Sequence, residues 1–304
     1  FQMAQSKRWV NYLLFFLTII STYFVGFLWA INYVYAGQEL EEVHGLLNIK
    51  IVFNTVLNRL SLIYSLSLLG ILLGHELGHY LTCKKYRIEA TLPYFIPAPT
   101  LIGTLGAFIR INSPLTRRDE LFDIGANGPL AGFILSVPAL YFGLSWSRLV
   151  PALSGEGSIE FGEPWLLKAM TRMIFGPVPA DQSLILHPMA MAAWVGLLVT
   201  SFNLFPIGQL DGGHIFYSLF GDKAKKISYI IVGSLIVMGV FFWAGWLIWA
   251  ILILLLGLRH PAVAWVPARL SRKRQLIAFF VLIIFLISFI PAPVTDSGLL
   301  DLIR

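Results

Sequence analysis

Apolar residues in this chain come in long runs, each bounded by proline, glycine or short clusters of lysine and arginine. The first run goes from Trp9 to about Tyr35 and the second from about Leu60 to Leu81. The third covers about Ile124 to Ser145 and the fourth about Pro188 to Phe205. Runs of roughly 17–25 apolar residues are long enough to carry an α-helix across a bilayer. The run Ile227 to Leu258 is long enough for a single helix, but Lys223, Lys225 and Lys226 precede it and Arg259 follows it. Basic flanks on both sides favour two passes with a turn near Trp243–Trp246. Each arm would then hold about 15 residues, roughly 22 Å, which is short for a bilayer. A last run, about Gln275 to Ile290, follows the cluster Arg269, Arg272, Lys273 and Arg274.

Between the second and third runs, Pro93, Pro97 and Pro99 forbid a helix. Leu101 to Asn112 is apolar but too short to span, and it carries Gly103, Gly106, β-branched residues and a closing Ser-Pro. This predicts a hairpin dipping into the protein, because irregular backbone at membrane depth survives only when buried or lining a wet cavity. Strand alternation puts Leu105, Ala107 and Ile109 on one face, with Ala107 and Ile109 packed inward and Arg110 towards water. Residues 146–187 form the longest loop, in which Pro164 to Phe175 reads as an amphipathic helix on the outer surface. The expected fold is an all-α polytopic membrane protein of about six to seven transmembrane helices with a short re-entrant β-hairpin. It forms a single integral-membrane domain over 1–304, with a core at about 60–215 and C-terminal helices at about 227–290.

Composition agrees: 57% of the 304 residues are hydrophobic, and the mean hydropathy is +0.77, far from a soluble domain. The net charge of +6 is no nucleic-acid signal, because its lysines and arginines sit at the ends of apolar runs. The partners implied are therefore the bilayer and other membrane proteins, with neither nucleic acid nor nucleotide. Lys7 and Arg8 precede the first run, and Glu39, Glu41 and Glu42 follow it, so the N-terminus is expected in the cytosol and the acidic loop outside. Lys84, Lys85 and Arg87 bring the second run back inward. The single cysteine, Cys83, excludes an internal disulfide and reads as packing. The first residue is Phe, which suggests a fragment or processed form with an upstream domain missing, and no cleavable signal peptide is visible.

The candidate chemistry lies at the end of the second run, GILLGHELGHY over residues 70–80. On a helix, His75 and His79 share a face one turn apart, and two imidazoles at that spacing reach one tetrahedral metal ion. Glu76 leans over the same side and can accept a proton from metal-bound water. Ionisable groups in a membrane segment are costly, which makes this cluster a functional site rather than scattered histidines. Gly70, Gly74 and Gly78 recur every fourth residue, a stripe that lets another backbone come close. A catalytic zinc commonly takes three protein ligands. The third candidate is Asp211, in the L-D-G-G turn at the inner end of the fourth run. His214 is the alternative, ranked below it as a supporting or structural residue.

HELGH at 75–79, GPLAG at 128–132 and NLFPIGQLDGG at 203–213 together resemble the site-2 protease family of intramembrane zinc metalloproteases. The resemblance implies Zn²⁺ held by His75, His79 and Asp211, with Glu76 as catalytic base. It also implies that Asn203 helps hold the polarised substrate carbonyl and that the hairpin presents an edge to an unwound substrate. The substrate would be a membrane protein with a transmembrane helix, cut in or near that helix during regulated intramembrane proteolysis. Many members carry an asparagine shortly after the Gly-Pro of the third span; here the nearest, Asn127, precedes it, which puts an extra polar contact from that span in doubt. Neither a PDZ-type nor a nucleotide-sensing domain is present. The GQLDGGH variant and the long outer loop suggest a branch found in photosynthetic organisms and some archaea and bacteria. The expected setting is a bacterial or archaeal cell membrane, or a thylakoid or chloroplast membrane, with the active site towards the cytosolic side.

Two other readings compete. A protease cutting soluble or lipid-modified proteins at the membrane face would need a glutamate ligand from a later helix, and no suitable motif occurs. A zinc transporter or non-proteolytic scaffold would need polar groups along a continuous path, or no Glu76 at all.

Overall fold

The computed structural model describes residues 8–36, 53–152, 160–256 and 270–295. It is mostly helical. In chain order the elements are α1 (Arg8–Tyr35), α2 (Thr55–Lys85), β1 (Tyr94–Pro97), β2 (Thr104–Phe108), α3 (Arg118–Ser145), β3 (Arg148–Pro151) and α4 (Trp165–Phe175). They continue with β4 (Gln182–Ile185), α5 (Pro188–Asn203), α6 (Asp211–Phe220), α7 (Lys223–Phe241), α8 (Gly245–Leu256) and α9 (Arg272–Ser288).

Four of these helices, α1, α2, α3 and α7, are long and apolar enough to cross a membrane. This is fewer than the six to seven expected, because α5, α8 and α9 have 16, 12 and 17 residues. Isoleucine, leucine and phenylalanine crowd their exposed faces, for example Phe16 and Phe24 on α1 and Ile230 on α7, as a lipid solvent requires. The run from Ile227 does break in two, at Phe242–Ala244. There α8 folds back on α7, so closely that a Cβ on Gly239 would lie 2.5 Å from Leu247 Cγ. The acidic loop at Glu39–Glu42, Lys50, Arg259 and Arg269 fall outside the described residues.

The core gathers around α5. Its Ala190, Ala192, Ala193, Val195 and Leu197 are all buried, packed with Leu68 and Leu72 of α2 and Leu140 and Leu144 of α3. Small residues bring these helices together. A Cβ on Gly143 of α3 would sit 2.3 Å from the Ala190 nitrogen, and one on Gly196 of α5 would sit 2.7 Å from Ser136 Oγ. The expected glycine stripe of α2 works at two of its three positions: Gly74 and Gly78 lie against Leu135 and the Asn127 carbonyl of α3, while Gly70 faces open space.

The hairpin differs from its expectation. The segment 101–112 supplies only the second strand; the first, β1, lies among the prolines at 93–99. Proline stops a helix but tolerates a strand at an edge. The ribbon continues through the bridge Ala90↔Ile111. The alternation also slips: Leu105 is exposed whereas Ala107 and Ile109 are half-buried. Gly106, at φ +98°, breaks the pleat between them. Helix α1 holds the ribbon along its length. Asn11 donates to the Leu92 carbonyl (2.9 Å) and Ser21 to the Gly103 carbonyl (2.7 Å), while Tyr64 of α2 donates to Ile102 (2.9 Å).

At the opposite end of the bundle, the expected loop over 146–187 contains a second antiparallel pair, β3 with β4, as well as α4. These strands are four residues each, too short for alternation to reveal them.

Candidate metal centre

Two elements deliver three side-chain atoms to one point. His75 and His79 come from consecutive turns of α2, and Asp211 is the first residue of α6. His75 Nε2 lies 3.1 Å from His79 Nε2, and Asp211 Oδ2 lies 3.2 Å from the former and 3.3 Å from the latter. Among the described residues this is the one group of three potential ligands that converge in this way. His214 lines the cleft beside them but is not part of that triangle.

The chemistry of the donors calls for a cation. His79 Nδ1 lies 2.7 Å from the Ile124 carbonyl, which can only accept, so the ring's proton is on Nδ1. Its Nε2 is then a bare lone pair facing another imidazole nitrogen and a carboxylate oxygen. An ion with bonds of about 2.0–2.2 Å in tetrahedral geometry separates its ligands by about 3.3–3.5 Å, close to the three distances here. The residues present therefore fit the implied metal.

The local sequence explains the placement. After α5 ends at Asn203, the chain turns sharply through Gly208 at φ +51°. A Cβ on Gly212 would lie 2.0 Å from the Leu204 carbonyl and one on Gly213 2.4 Å from the Gly208 carbonyl. The two glycines thus let the start of α6 settle onto its own loop and turn Asp211 inward. On the other side, GPLAG of α3 forms a cradle for the imidazoles. A Cβ on Gly128 would lie 2.0 Å from His79 Nε2, and one on Gly132 would lie 3.1 Å from His75 Nδ1. From the sequence, GPLAG entered only as one of the motifs that carry the family resemblance, with no role at the histidines. The signal for its role was present: Gly128 and Gly132 are four apart, as are His75 and His79, so two packed helices match glycine to histidine turn by turn.

Glu76 and Asn203 complete the site. Glu76 is 5% exposed, and the Ile109 main-chain N–H faces its carboxylate. Asn203 places Nδ2 3.3 Å from His75 Nε2. Asn127 does not reach the centre; it donates to Thr82 Oγ1 at 2.8 Å and ties α3 to α2. A cleft of about 210 Å³ opens over these groups, walled by Ala107, Phe108, Ile109 and Leu210, with Gln209 and His214 at its polar side. Neither Gln209 nor the Ile109 N–H was foreseen, since a main-chain donor leaves no trace in residue type.

The outer edge of β2 forms one wall of the cleft. Thr91 N–H donates to the Arg110 carbonyl and Asn112 N–H to the Glu89 carbonyl, both at about 2.9 Å. Arg110 and Asn112, just beyond β2, therefore turn main-chain groups to the chain that precedes β1. By alternation Ala107 and Ile109 turn their main-chain groups the other way, and Ile109 meets Glu76 there.

The chain is similar to several known proteins. The probable chloroplastic zinc metalloprotease EGY1 of Arabidopsis thaliana is 35% identical over 185 residues, 56% of this chain and 32% of its own length. The probable chloroplastic zinc metalloprotease EGY2 is 33% identical over 173 residues in Oryza sativa subsp. indica, covering 55% and 31% of the two chains. In Arabidopsis thaliana EGY2 is 36% identical over 154 residues, covering 49% and 27%. The chain spans about a third of the length of these relatives. A model of peptidase family M50, the site-2 protease family, matches residues 63–244, from the helix of the two histidines through Asp211 to the end of α7. With well over half of its length matched, the chain belongs to peptidase family M50.

Proposed function

We propose that this protein is a multi-pass, zinc-dependent intramembrane endopeptidase that cuts membrane proteins within or near a transmembrane helix. The observation that carries this reading is the convergence of His75, His79 and Asp211 beside a buried Glu76. His75 Nε2, His79 Nε2 and an Asp211 oxygen would hold the ion. When bound, zinc makes its water acidic enough to ionise near neutral pH and polarises the scissile carbonyl.

The chain's own groups do the rest. Glu76 accepts the proton of the attacking water and passes it to the leaving amine. The Ile109 N–H holds the carboxylate in place. Asn203 Nδ2, beside the centre, donates to the substrate carbonyl as charge develops on it. Apolar walls from Ala107, Phe108 and Leu210 limit bulk water and receive apolar substrate side chains.

A helical substrate hides its carbonyls in internal hydrogen bonds. The free edge of β2 offers Ala107 and Ile109 main-chain groups to an unwound stretch, which can pair with it as an added strand. The ribbon thus serves as the re-entrant element expected from the sequence. The shorter helices α5, α8 and α9 complete a bundle of six or seven passes. Lys84 and Lys85 end α2, and Arg117 and Arg118 begin α3, so the basic residues cluster at the end of the bundle nearest the centre. That charge pattern supports a site towards the cytosolic or equivalent side.

The test is cleavage of single-span substrates in liposomes by wild type and Glu76→Gln. The variant should retain zinc and fold but cleave about 10²–10⁴-fold more slowly, the usual loss for a positioned base. Turnover near the wild-type rate would assign the proton to another group and leave Glu76 without a catalytic role.

A further inference from the structure

The hydrogen bond that orients His79 ends on a carbonyl whose neighbour is held from the far end of the chain. Ile124 accepts from His79, and the residue before it, Asp123, is gripped by Arg274 in the first turn of α9. Arg274 Nε donates to Asp123 Oδ1 at 2.8 Å and its terminal nitrogen to Oδ2 at 2.9 Å, the paired fork that Arg alone makes with a carboxylate. Tyr86 donates its hydroxyl to the same Asp123 and receives a bond from Arg274 at 3.1 Å.

Tyr86 caps the end of α2, seven residues after His79 and on nearly the same face. Its hydroxyl pKa is pushed up to about 12, by burial first and then by Asp123, so it stays a donor. One cluster thus pins together the end of α2, the second turn of α3 and the start of α9. That turn of α3 is the one that offers its carbonyl to His79.

We propose that Arg274 is a positioning residue for the metal centre. By fixing Asp123 against Tyr86, it sets the Ile124 carbonyl that holds the His79 ring by Nδ1 and so aims Nε2 at the other two ligands. The proposal rests on the reading of His79 as a metal ligand. Partners that orient a ligating histidine typically contribute about 10–100-fold to metal affinity. The cluster sits one residue beyond such a partner, so the lower end of that range applies. The nearby pair Arg117–Asp119 lies on the same surface with Arg117 largely exposed; Asp119 also faces Arg274, at 3.8 Å, a longer contact than the fork on Asp123.

The experiment measures zinc affinity by chelator competition on the full chain in detergent, together with the visible spectrum of the cobalt-loaded protein. Arg274→Gln and Asp123→Asn should each weaken zinc binding by about tenfold and alter the cobalt spectrum. The double variant should be no weaker than the weaker single one, because both break the same link. Arg274→Lys should recover part of the loss, since lysine keeps the charge without the fork, and Arg117→Gln should bind as wild type does. Leu144→Ala, fully buried at the opposite end of α3, controls for general loosening and should lower the unfolding temperature without weakening zinc. Wild-type affinity in Arg274→Gln, multiplying losses in the double variant, or an equal loss in Leu144→Ala would each overturn the proposal while leaving the metal reading intact. A wild-type chain that holds no zinc would overturn that reading and this proposal with it.

Discussion

His79 and His187 are both buried, at 6% and 5% exposure, at opposite ends of α3 and roughly 30 Å apart along it. They are arranged in opposite senses. His187 caps α5: its Nδ1 accepts from the Met189 N–H at 3.2 Å, and its ring lies edge-on to Tyr33 and Trp146. His79 gives its Nδ1 proton to a carbonyl and turns a bare Nε2 towards two other acceptors. The first arrangement is complete in itself. The second leaves lone pairs converging on one point, the arrangement that a shared metal ion takes up. A buried histidine is thus assigned less by its burial than by what its second nitrogen faces.

Removing the metal-facing groups should break the comparison if it is wrong, and this is the largest effect expected. His79→Ala and Asp211→Ala should lose essentially all bound zinc and all proteolysis, while His187→Asn keeps a full equivalent by metal analysis. Full zinc occupancy in Asp211→Ala would sink the three-ligand arrangement.

Much of this contrast was legible beforehand. His75, Glu76, His79 and Asp211 stood out because their types are costly inside apolar runs, and the L-D-G-G turn announced a carboxylate facing back into the bundle. Long helices were equally plain, since α1, α2 and α3 begin and end within a few residues of the apolar runs except where α2 extends back to Thr55 and α3 to Arg118. What escaped were features carried by the main chain or by short elements. The Ile124 carbonyl, the Ile109 N–H and the strands β1, β3 and β4 have no characteristic side chain. The Arg274–Asp123 contact joins residues 151 apart, and charge at a helix end reads equally well as topology. Helix α5 has no exposed residue, so its apolar run reads equally well as core or as a span.

Two glycines on α3 sharpen the comparison further. Gly143→Ala pushes a methyl into the Ala190 backbone and Gly128→Ala pushes one into the His79 ring. Overpacking of this kind costs about 1–3 kcal/mol, so both variants should melt at lower temperature. Only Gly128→Ala should also lose zinc affinity, by well over tenfold, because the imidazole must move. Gly132→Ala, whose methyl would lie 3.1 Å from His75 Nδ1, a milder crowding, should fall between wild type and Gly128→Ala. Equal zinc affinity in the Gly128 and Gly143 variants would mean that the cradle does not set the ring.

The two small sheets make the next pair. Proline at Ala107 removes an N–H that faces the cleft rather than the β1 ladder, so the fold and the zinc should survive. Cleavage should fall several-fold for a stable substrate helix and less for one already carrying Gly or Pro near its cut site. Proline at Ser183, in the outer sheet, should leave the ratio of the two rates unchanged. Equal loss on both substrates in Ala107→Pro would leave the ribbon as architecture.

The smallest effect expected concerns acid. Burial lowers the His187 pKa from 6.5 to about 4, so the folded protein keeps the ring neutral where the unfolded chain would protonate it. Above about pH 6.5 both states are neutral and the group contributes no pH dependence. As pH falls from there towards 4, the unfolded state binds a proton that the folded state does not, and stability is lost over that window. Protonation would also convert Nδ1 from acceptor to donor, which opposes the Met189 N–H and uncaps α5. His187→Asn keeps an acceptor for that N–H but cannot titrate. Its unfolding temperature in detergent should therefore fall by less than that of wild type between pH 7 and 5, with the two converging in slope above pH 7. Zinc retained by the wild type at the acid end of the window would show that the loss begins at the outer end of α3. Parallel curves for the two proteins would remove His187 as the source.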